Sequence, residues 1–379
     1  MARVESRQLI RQAIRYHENG RLGRAKEYYL QVLESEPNHP DALHLYGLAC
    51  HQQGDHAQAV NFMRRAVELA PGQPELRNNL GNALREAGDL ANAEKELQAA
   101  LRLRPDYGGA HQNLGSVYRD TGDRDAARFH AGEAVRLSPE RAEAWFNLGL
   151  VLLDQIRLEE AVEAFRHALS IRPRYRQAAT SLLYTLNFLP EADSSAVERE
   201  HCSVAGTVYG QHKRREFPAR PNAPIRLGYV SGDFRAHAVS YFLEPLLENH
   251  DRARFEIYCY SDVERPDDTT RRLMDAAHRW RDIAGSNDRD VCDRISADRI
   301  DILIDLSGHT SRNRLGVFSL KPARHQVTYL GYPNTSGLEA MDYRIVDPLA
   351  APESERCDGS EALLRIPGGF ACFRPPAHA

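Results

Sequence analysis

The chain has 379 residues, of which 42% are hydrophobic and 27% charged, and its formal net charge is −4. This composition is typical of a folded protein of two or three domains and excludes a disordered chain. No Lys/Arg run offers a footprint for nucleic acid, no signal core follows the N-terminus, and no apolar run reaches the roughly 20 residues that span a bilayer. The six cysteines lack CxxC spacing, so we predict no metal site and a reduced, cytoplasmic protein.

A 34-residue period dominates residues 6–173. The recurring positions are Pro37, Pro71, Pro105, Pro139 and Pro173; Gly47, Gly81, Gly115 and Gly149; and Ala25, Ala59, Ala93, Ala127 and Ala161. The small residues allow two helices to approach closely, and each proline ends a helix. This pattern is similar to the tetratricopeptide repeat and predicts five helix pairs that stack into an α superhelix.

The turn within each repeat has a glycine in four of the five copies. Gly20, Gly54, Gly88 and Gly122 fall where a positive φ favours glycine. The fifth copy has Ile156 instead, and we expect this residue to reshape its turn.

A row of asparagines recurs at the same period in the first helix of three repeats, at Asn79, Asn113 and Asn147. The first helices of such arrays line the concave surface, so the three amides are expected to lie along an inner groove. Asparagine can both donate to and accept from a peptide backbone, which favours the binding of an extended acceptor peptide. The alternative is a row of merely solvated polar side chains. Arg11 and Leu45 occupy this position in the first two repeats, so the row is short.

A helical junction follows the repeats over residues 174–221. Its helical stretches are predicted at residues 175–189 and about 196–213, before a short polar linker. The prolines of this linker are Pro218, Pro221 and Pro224.

Residues 222–379 alternate between strand-like and helix-like segments. Strands are predicted at residues 225–230, 255–260, 300–306 and 326–332, and helices at residues 269–280 and 288–297. This alternation predicts a parallel, doubly wound α/β sheet. Ligands of such sheets bind beyond the carboxyl ends of the strands.

Polar loops with glycine follow three of these strands, at residues 231–237, 307–310 and 331–337. Two of the loops carry a histidine, His237 and His309. A lone histidine after a strand is more often structural than catalytic, whereas two on neighbouring loops favour a functional site. The sequence has no Walker A, GxGxxG or GxSxG motif, which argues against an NTPase, a dinucleotide dehydrogenase and a serine hydrolase.

These loops carry a resemblance to a known family. Residues 226–234 (RLGYVSGDF) with His237, residues 307–310 (SGHT), residues 330–337 (LGYPNTSG) and residues 341–343 (MDY) resemble the catalytic region of the O-GlcNAc transferase and SPINDLY family. The junction segment LLYTLNF, residues 182–188, resembles the SPINDLY branch. The resemblance covers about residues 1–379.

The resemblance implies an N-terminal, Rossmann-like α/β lobe of a GT-B glycosyltransferase that transfers a sugar from a nucleotide to Ser or Thr of proteins, with inversion and without a metal. It places His237 in the active site, and it matches Asp293 to an aspartate proposed as a base. The other positions that it places in active-site loops are Asp233, His309, Thr310, Tyr332, Pro333, Asn334, Thr335, Ser336 and Gly337. Tyr241 stands where some relatives have a second histidine.

The implied partners are acceptor proteins on the concave repeat surface and a nucleotide-sugar donor, UDP-GlcNAc or GDP-fucose. No cofactor, nucleic acid or membrane is implied. The second lobe, which holds the donor nucleotide in the family, does not appear before Ala379, so we expect weak or no transfer by this chain alone. The alternative function is a non-catalytic, peptide-binding scaffold with a truncated transferase lobe.

Overall fold

The computed structural model describes residues 2–210, 217, 223–352 and 358–375. Pro218 and Pro221 of the predicted linker, the end of its preceding helix and Cys357 lie outside the described residues. The chain divides into two compact units, Met1–Ile171 and Arg172–Ala379. Within the described ranges, we find no helix with the length and apolar character needed to cross a membrane.

The first unit is a series of helix pairs, in which each odd-numbered helix packs against the next even-numbered one. The helices are α1 Ala2–Glu18, α2 Leu22–Ser35, α3 Pro40–Gln52, α4 His56–Leu69, α5 Pro74–Glu86, α6 Leu90–Leu103, α7 Gly108–Thr121, α8 Arg124–Leu137, α9 Ala142–Asp154 and α10 Leu158–Ile171. The five pairs follow the 34-residue period, and the predicted repeat fold is confirmed.

Helix ends in this unit are set by capping residues. Asp55, Asp89 and Asp123 precede α4, α6 and α8, and the carboxylate of each accepts a hydrogen bond from a backbone N–H in the first turn. Such caps satisfy amides that have no partner within the helix. Close packing within a pair requires the repeated glycine, since a Cβ on Gly149 would lie 2.5 Å from the Phe165 ring.

The turns between paired helices use the left-handed backbone region. The glycines of the first four repeats have φ values between 70° and 84° at Gly20, Gly54, Gly88 and Gly122. Ile156 adopts the same conformation with φ 60°, and its side chain is 77% exposed. The prediction that Ile156 reshapes the turn is therefore wrong, because the turn keeps its form and the isoleucine adopts a strained backbone instead.

The second unit contains a seven-stranded sheet in the order β3-β2-β1-β4-β5-β6-β7. The strands are β1 Ile225–Ser231, β2 Phe255–Ser261, β3 Arg279–Asp282, β4 Ile302–Asp305, β5 His325–Thr328, β6 Tyr343–Val346 and β7 Ala362–Arg365. Every described strand pair is parallel. The predicted fold class, a repeat superhelix followed by a parallel α/β region, is confirmed.

Helices surround this sheet and precede it. They are α11 Arg176–Leu186, α12 Ser194–Tyr209, α13 Ala238–Glu248, α14 Asp268–Ala276, α15 Asp288–Ala297 and α16 Leu315–Ser319. The two junction helices, α11 and α12, belong to the same compact unit as the sheet. We call them the helical hairpin.

Two predicted elements extend well beyond the ends that the structure gives them. Trp280 was expected in a helix but lies in β3, because α14 ends at Ala276 and the N–H of His278 already donates to Ile257 O of β2. The strand predicted over residues 326–332 ends at Thr328. Its apolar continuation includes Leu330, which has φ 69° and breaks the extended backbone.

Candidate active site

The strands β1, β4 and β5 are neighbours in the sheet, so the loops that follow them meet at one edge. These strands end at Ser231, Asp305 and Thr328. The loops are the three that the sequence singled out, and their predicted convergence at the carboxyl edge is confirmed by the parallel pairing of the strands.

His237 lies on the first loop, directly before α13. Its Nδ1 atom accepts a hydrogen bond of 3.3 Å from Val239 N and so caps the helix. The same Nδ1 atom lies 3.8 Å from a carboxylate oxygen of Asp233, and the His237 side chain is 39% exposed. Asp233 is held by its own N–H, which donates to Ser231 Oγ at 2.9 Å. His237 is therefore an accessible imidazole with a carboxylate close to one ring nitrogen.

His309, the second predicted histidine, is 1% exposed. Its Nε2 atom donates to the carbonyl oxygen of Ser336 at 2.7 Å, and its Nδ1 atom has no hydrogen-bond partner among the described residues. Burial, together with the nearby His201, lowers the pKa of His309 to about 3. The ring is therefore neutral near pH 7 and supports the loops from inside, and the assignment of His309 to an active-site loop stays a prediction.

The loop of residues 331–337 likewise points most of its side chains inward. Tyr332, Thr335 and Ser336 are buried, whereas Pro333 is exposed and Asn334 half-buried. The hydroxyls of Thr335 and Ser336 donate to the carboxylate of Glu361, which also accepts from Ser336 N at 2.7 Å.

Glu361, which is 6% exposed, was not singled out in the sequence. It precedes β7 in a polar segment with no recognisable motif, and only the fold brings it to this loop.

Glycine is required at three points where these loops pack together. A Cβ on Gly308 would lie 2.2 Å from Tyr332 Cβ, and one on Gly331 would lie 1.8 Å from Leu306 O. A Cβ on Gly337 would lie 2.4 Å from His201 O of α12. The loops can therefore approach one another and the helical hairpin only because these positions lack a side chain.

Asp305, the last residue of β4, fixes the loop of residues 307–310. Its buried carboxylate accepts from Ser307 N at 3.1 Å and from Gly308 N at 2.8 Å. Burial raises the pKa of Asp305 to about 6 despite these hydrogen bonds. Thr310 closes the turn by donating from Oγ1 to Ser307 O at 2.9 Å. Sequence reasoning missed Asp305, because an acidic residue at the end of an apolar strand is common in solvent-exposed turns.

Asp293 lies on the exposed face of α15. No hydrogen bond or ion pair in the described ranges joins it to the three loops. Its role as a base stays a prediction. No group of three or more His, Cys, Asp and Glu side chains in the described part of the chain is placed to hold a metal ion.

A cavity of about 310 Å³ lies beside the exposed part of the loop of residues 331–337. Pro333 and Asn334 line it from the loop, and Asn187 and Glu198 line it from the helical hairpin. Its polar walls lie within the second unit.

The asparagine row lies in the first unit and is largely occupied by contacts between repeats. Asn79 Nδ2 lies 2.8 Å from His44 Nε2 of the preceding pair, and Asn113 Nδ2 donates to Asn78 Oδ1 at 2.9 Å. Asn78 Nδ2 donates in turn to Asn79 Oδ1 at 3.2 Å. These side chains therefore form a hydrogen-bonded ladder across repeats two to four, and Asn147 is half-buried on α9. Their role in binding a peptide stays a prediction.

The chain is similar to known sugar-transferring proteins. The model of glycosyl transferase family 41 matches residues 181–372, and tetratricopeptide repeat models match residues 10–74, 51–116 and 113–179. The probable UDP-N-acetylglucosamine–peptide N-acetylglucosaminyltransferase SPINDLY of Oryza sativa subsp. japonica is 36% identical over 225 residues, which cover 58% of this chain and 24% of that protein. The UDP-N-acetylglucosamine–peptide N-acetylglucosaminyltransferase of Caenorhabditis elegans is 33% identical over 180 residues, which cover 47% and 16%.

A solved structure gives the same result. A mutant O-GlcNAc transferase of Thermobaculum terrenum is 33% identical and superposes with a TM-score of 0.69, over 80% of this chain and 59% of that one. The aligned part of this chain spans about a quarter of the length of the SPINDLY relative. The resemblance to the O-GlcNAc transferase and SPINDLY proteins is confirmed.

Proposed function

The chain belongs to glycosyl transferase family 41, and on this premise we propose that it transfers a sugar from a nucleotide sugar to Ser or Thr hydroxyls of proteins. The observation that carries the proposal is the position of His237, an accessible imidazole at the carboxyl edge of a sheet that the family match spans. The names of the relatives, peptide N-acetylglucosaminyltransferases, support N-acetylglucosamine from UDP-GlcNAc as the transferred group. Fucose from GDP-fucose is the second candidate.

In this proposal His237 assists the acceptor hydroxyl. A Ser or Thr hydroxyl is a weak nucleophile until a base or a relay takes its proton, and imidazole is suited to this task near neutral pH. When Nδ1 accepts from Val239 N, the neutral ring carries its proton on Nε2 and can donate to a substrate oxygen. The other tautomer gives up the hydrogen bond from Val239 N. It carries its proton on Nδ1, 3.8 Å from Asp233, and its Nε2 can accept a proton.

Inversion and metal independence are part of the same proposal. The acceptor oxygen forms its bond to the anomeric carbon as the bond to the nucleotide diphosphate breaks on the opposite face. The leaving diphosphate requires positive charge or free backbone N–H groups. A second α/β lobe that binds the donor nucleotide completes the proposed site.

The test is a transfer assay with radiolabelled UDP-GlcNAc and GDP-fucose on this chain and on a form extended by a second lobe. We expect label to enter a Ser/Thr-rich peptide with one of the donors and the extended form. The variant His237→Ala tests the proposed role of the imidazole in this assay. Its matched control is His325→Ala, since His325 is exposed at the opposite, amino end of β5. Absence of transfer with both donors in both forms contradicts the proposal and favours a peptide-binding scaffold.

We further propose that the repeat unit binds the acceptor polypeptide through its asparagine row. Each amide Nδ2 in the ladder has a second hydrogen that its inter-repeat bond does not use, and a peptide carbonyl is a suitable acceptor for it. The triple variant Asn79→Ala/Asn113→Ala/Asn147→Ala should weaken the binding of an unstructured Ser/Thr-rich peptide, measured by fluorescence anisotropy.

The control for this variant is Asn82→Ala. Asn82 Nδ2 lies 3.2 Å from His51 Nε2, so its loss also removes an inter-repeat bond, outside the row. Peptide affinity that is equal in the wild type and the triple variant would sink the groove proposal.

A further inference from the structure

The segment from Leu330 to Gly337 combines backbone strain with tight fixation. Leu330 has φ 69°, and Gly331 N donates to Tyr329 O at 2.9 Å across it. A hydrogen bond between residues two apart with a positive φ between them indicates a γ-turn of the rare, strained kind. A bulky residue in this conformation persists only where its surroundings over-determine it. Contacts with the rest of the second unit must therefore hold this segment in its strained conformation.

The strongest of these contacts converge on one hydroxyl group. Tyr332 Oη lies 2.9 Å from Leu183 O and accepts from Asn187 Nδ2 at 2.8 Å, both in or next to α11. It also lies 2.6 Å from His201 Nε2 of α12. Tyr332 is 7% exposed and His201 is fully buried. One side chain of the loop is thus bound to both helices of the helical hairpin.

The direction of the hydrogen bonds follows from the partners. His201 Nδ1 lies 2.8 Å from Val197 O, which can only accept, so Nδ1 carries a proton. Burial lowers the pKa of His201, and the neutral ring then presents Nε2 as an acceptor. The Tyr332 hydroxyl therefore donates to His201, and Leu183 O keeps a donor because Asn187 Nδ2 lies 2.9 Å away. Every group in the network is satisfied, which rigidifies such a cluster.

Two side chains of the loop lie at the neighbouring cavity. Internal hydrogen bonds engage the side chains of Tyr332, Thr335 and Ser336. The side chains that reach the surface are those of Pro333 and Asn334, which line the 310 Å³ cavity. Asn334 is itself bound to the helical hairpin, since its Nδ2 donates to Asn187 Oδ1 at 2.9 Å.

We infer that Tyr332 and His201 are positioning residues, whose hydrogen bond fixes the loop of residues 331–337 to the helical hairpin and sets the place of Pro333 and Asn334 in the transferase site. The inference rests on the proposed function for its catalytic consequence, but the fixation of the loop is a property of the chain itself. The helical hairpin then positions a loop of the catalytic lobe and is more than a spacer after the repeats.

The experiment compares Tyr332→Phe with Tyr329→Phe. Tyr329 is also buried, and its hydroxyl donates to Phe370 O at 2.7 Å, away from the helical hairpin. Hydrogen–deuterium exchange on the full chain reports the loop, and steady-state transfer on the form active in the donor assay reports catalysis. We expect Tyr332→Phe to speed exchange of peptides covering residues 331–337 by about tenfold, as expected for one lost hydrogen bond of roughly 1.4 kcal/mol. It should lower kcat by about the same factor with the donor KM unchanged, whereas Tyr329→Phe should leave both readouts at the wild-type level.

Variants of the partner test the same bond from its other side. His201→Gln retains a polar group that can accept from Tyr332 and should keep loop exchange near the wild-type rate, whereas His201→Leu should behave like Tyr332→Phe. Unchanged loop exchange in Tyr332→Phe overturns the inference, as does faster exchange with kcat unchanged. If the wild type transfers no sugar, the proposed function fails, and the exchange rates still decide whether the bond fixes the loop.

Discussion

Ile156 is the most exacting test of how the repeat turns are built. It occupies the left-handed position that glycine holds in the other four repeats, with φ 60°. A side chain in this region costs roughly 1–2 kcal/mol through the contact of its Cβ with the backbone. The side chain is 77% exposed, so little packing compensates for that cost.

Ile156→Gly should therefore stabilise the repeat unit. Removal of the strain raises the free energy of unfolding by about 1–2 kcal/mol. The greater freedom of glycine in the unfolded chain lowers it by about 0.5–1 kcal/mol. The expected net gain is about 0.5–1 kcal/mol. A gain of 1 kcal/mol raises the melting temperature of a domain of this size by roughly 2–4 °C. The melting temperature of the repeat unit should therefore rise by about 1–4 °C.

Differential scanning calorimetry of the full chain is the measurement, and two controls isolate the strain. Ile156→Ala removes the exposed apolar surface but keeps a Cβ, so it should leave the melting temperature nearly unchanged. Gly122→Ile creates the strain in the preceding repeat, where φ is 84°, and should lower the melting temperature by a comparable amount. A melting temperature that rises equally in Ile156→Gly and Ile156→Ala would refute the argument from backbone strain.

Three further predictions concern the loops of the sheet edge. The pKa of His309 is about 3 in the folded protein, below the ordinary value of about 6.5. Its neutral ring therefore contributes to the folding stability above pH 6.5, and this contribution is lost as the pH falls toward 3. Urea unfolding at pH 7 and pH 4 should show that His309→Gln loses less stability between the two pH values than the wild type, by on the order of 2–3 kcal/mol. The contribution of Asp305 to folding stability has the opposite pH dependence, since burial raises its folded pKa to about 6. This contribution falls as the pH rises through 6, and Asp305→Asn should remove it. Gly331→Ala puts a Cβ 1.8 Å from Leu306 O and should displace the loop, which exchange of residues 331–337 would detect; wild-type exchange would show that the backbone can relax.

Periodicity made the repeat fold predictable in detail. The glycine, alanine and proline positions determine where each helix begins, turns and ends, because each has one physical task that recurs every 34 residues. The prediction failed at Ile156, because the sequence could not reveal that an isoleucine would adopt the same left-handed turn as the glycines of the other four repeats. The parallel direction of the strands followed from the alternation of segments, whereas the short strands β6 and β7 have too little apolar pattern to be recognised.

The candidate site was predictable only at the level of loops. The motifs identified which loops meet at the sheet edge, and His237 is accessible at that edge. Which side chains face inward could not be predicted, because it depends on partners far away in the chain. His309 is buried against Ser336, and the loop hydroxyls are bound by Glu361. Sequence spacing carries no information about either contact.

The proposed function places sugar transfer at the sheet edge around His237. The most direct measurement is kcat/KM for label transfer from the donor to a Ser/Thr peptide, compared between the wild type, His237→Ala and the control His325→Ala. We expect a loss of roughly 10²–10⁴-fold in His237→Ala, the usual contribution of a positioned acid or base, and wild-type rates in His325→Ala. An active wild type whose kcat/KM is unchanged in His237→Ala would contradict it.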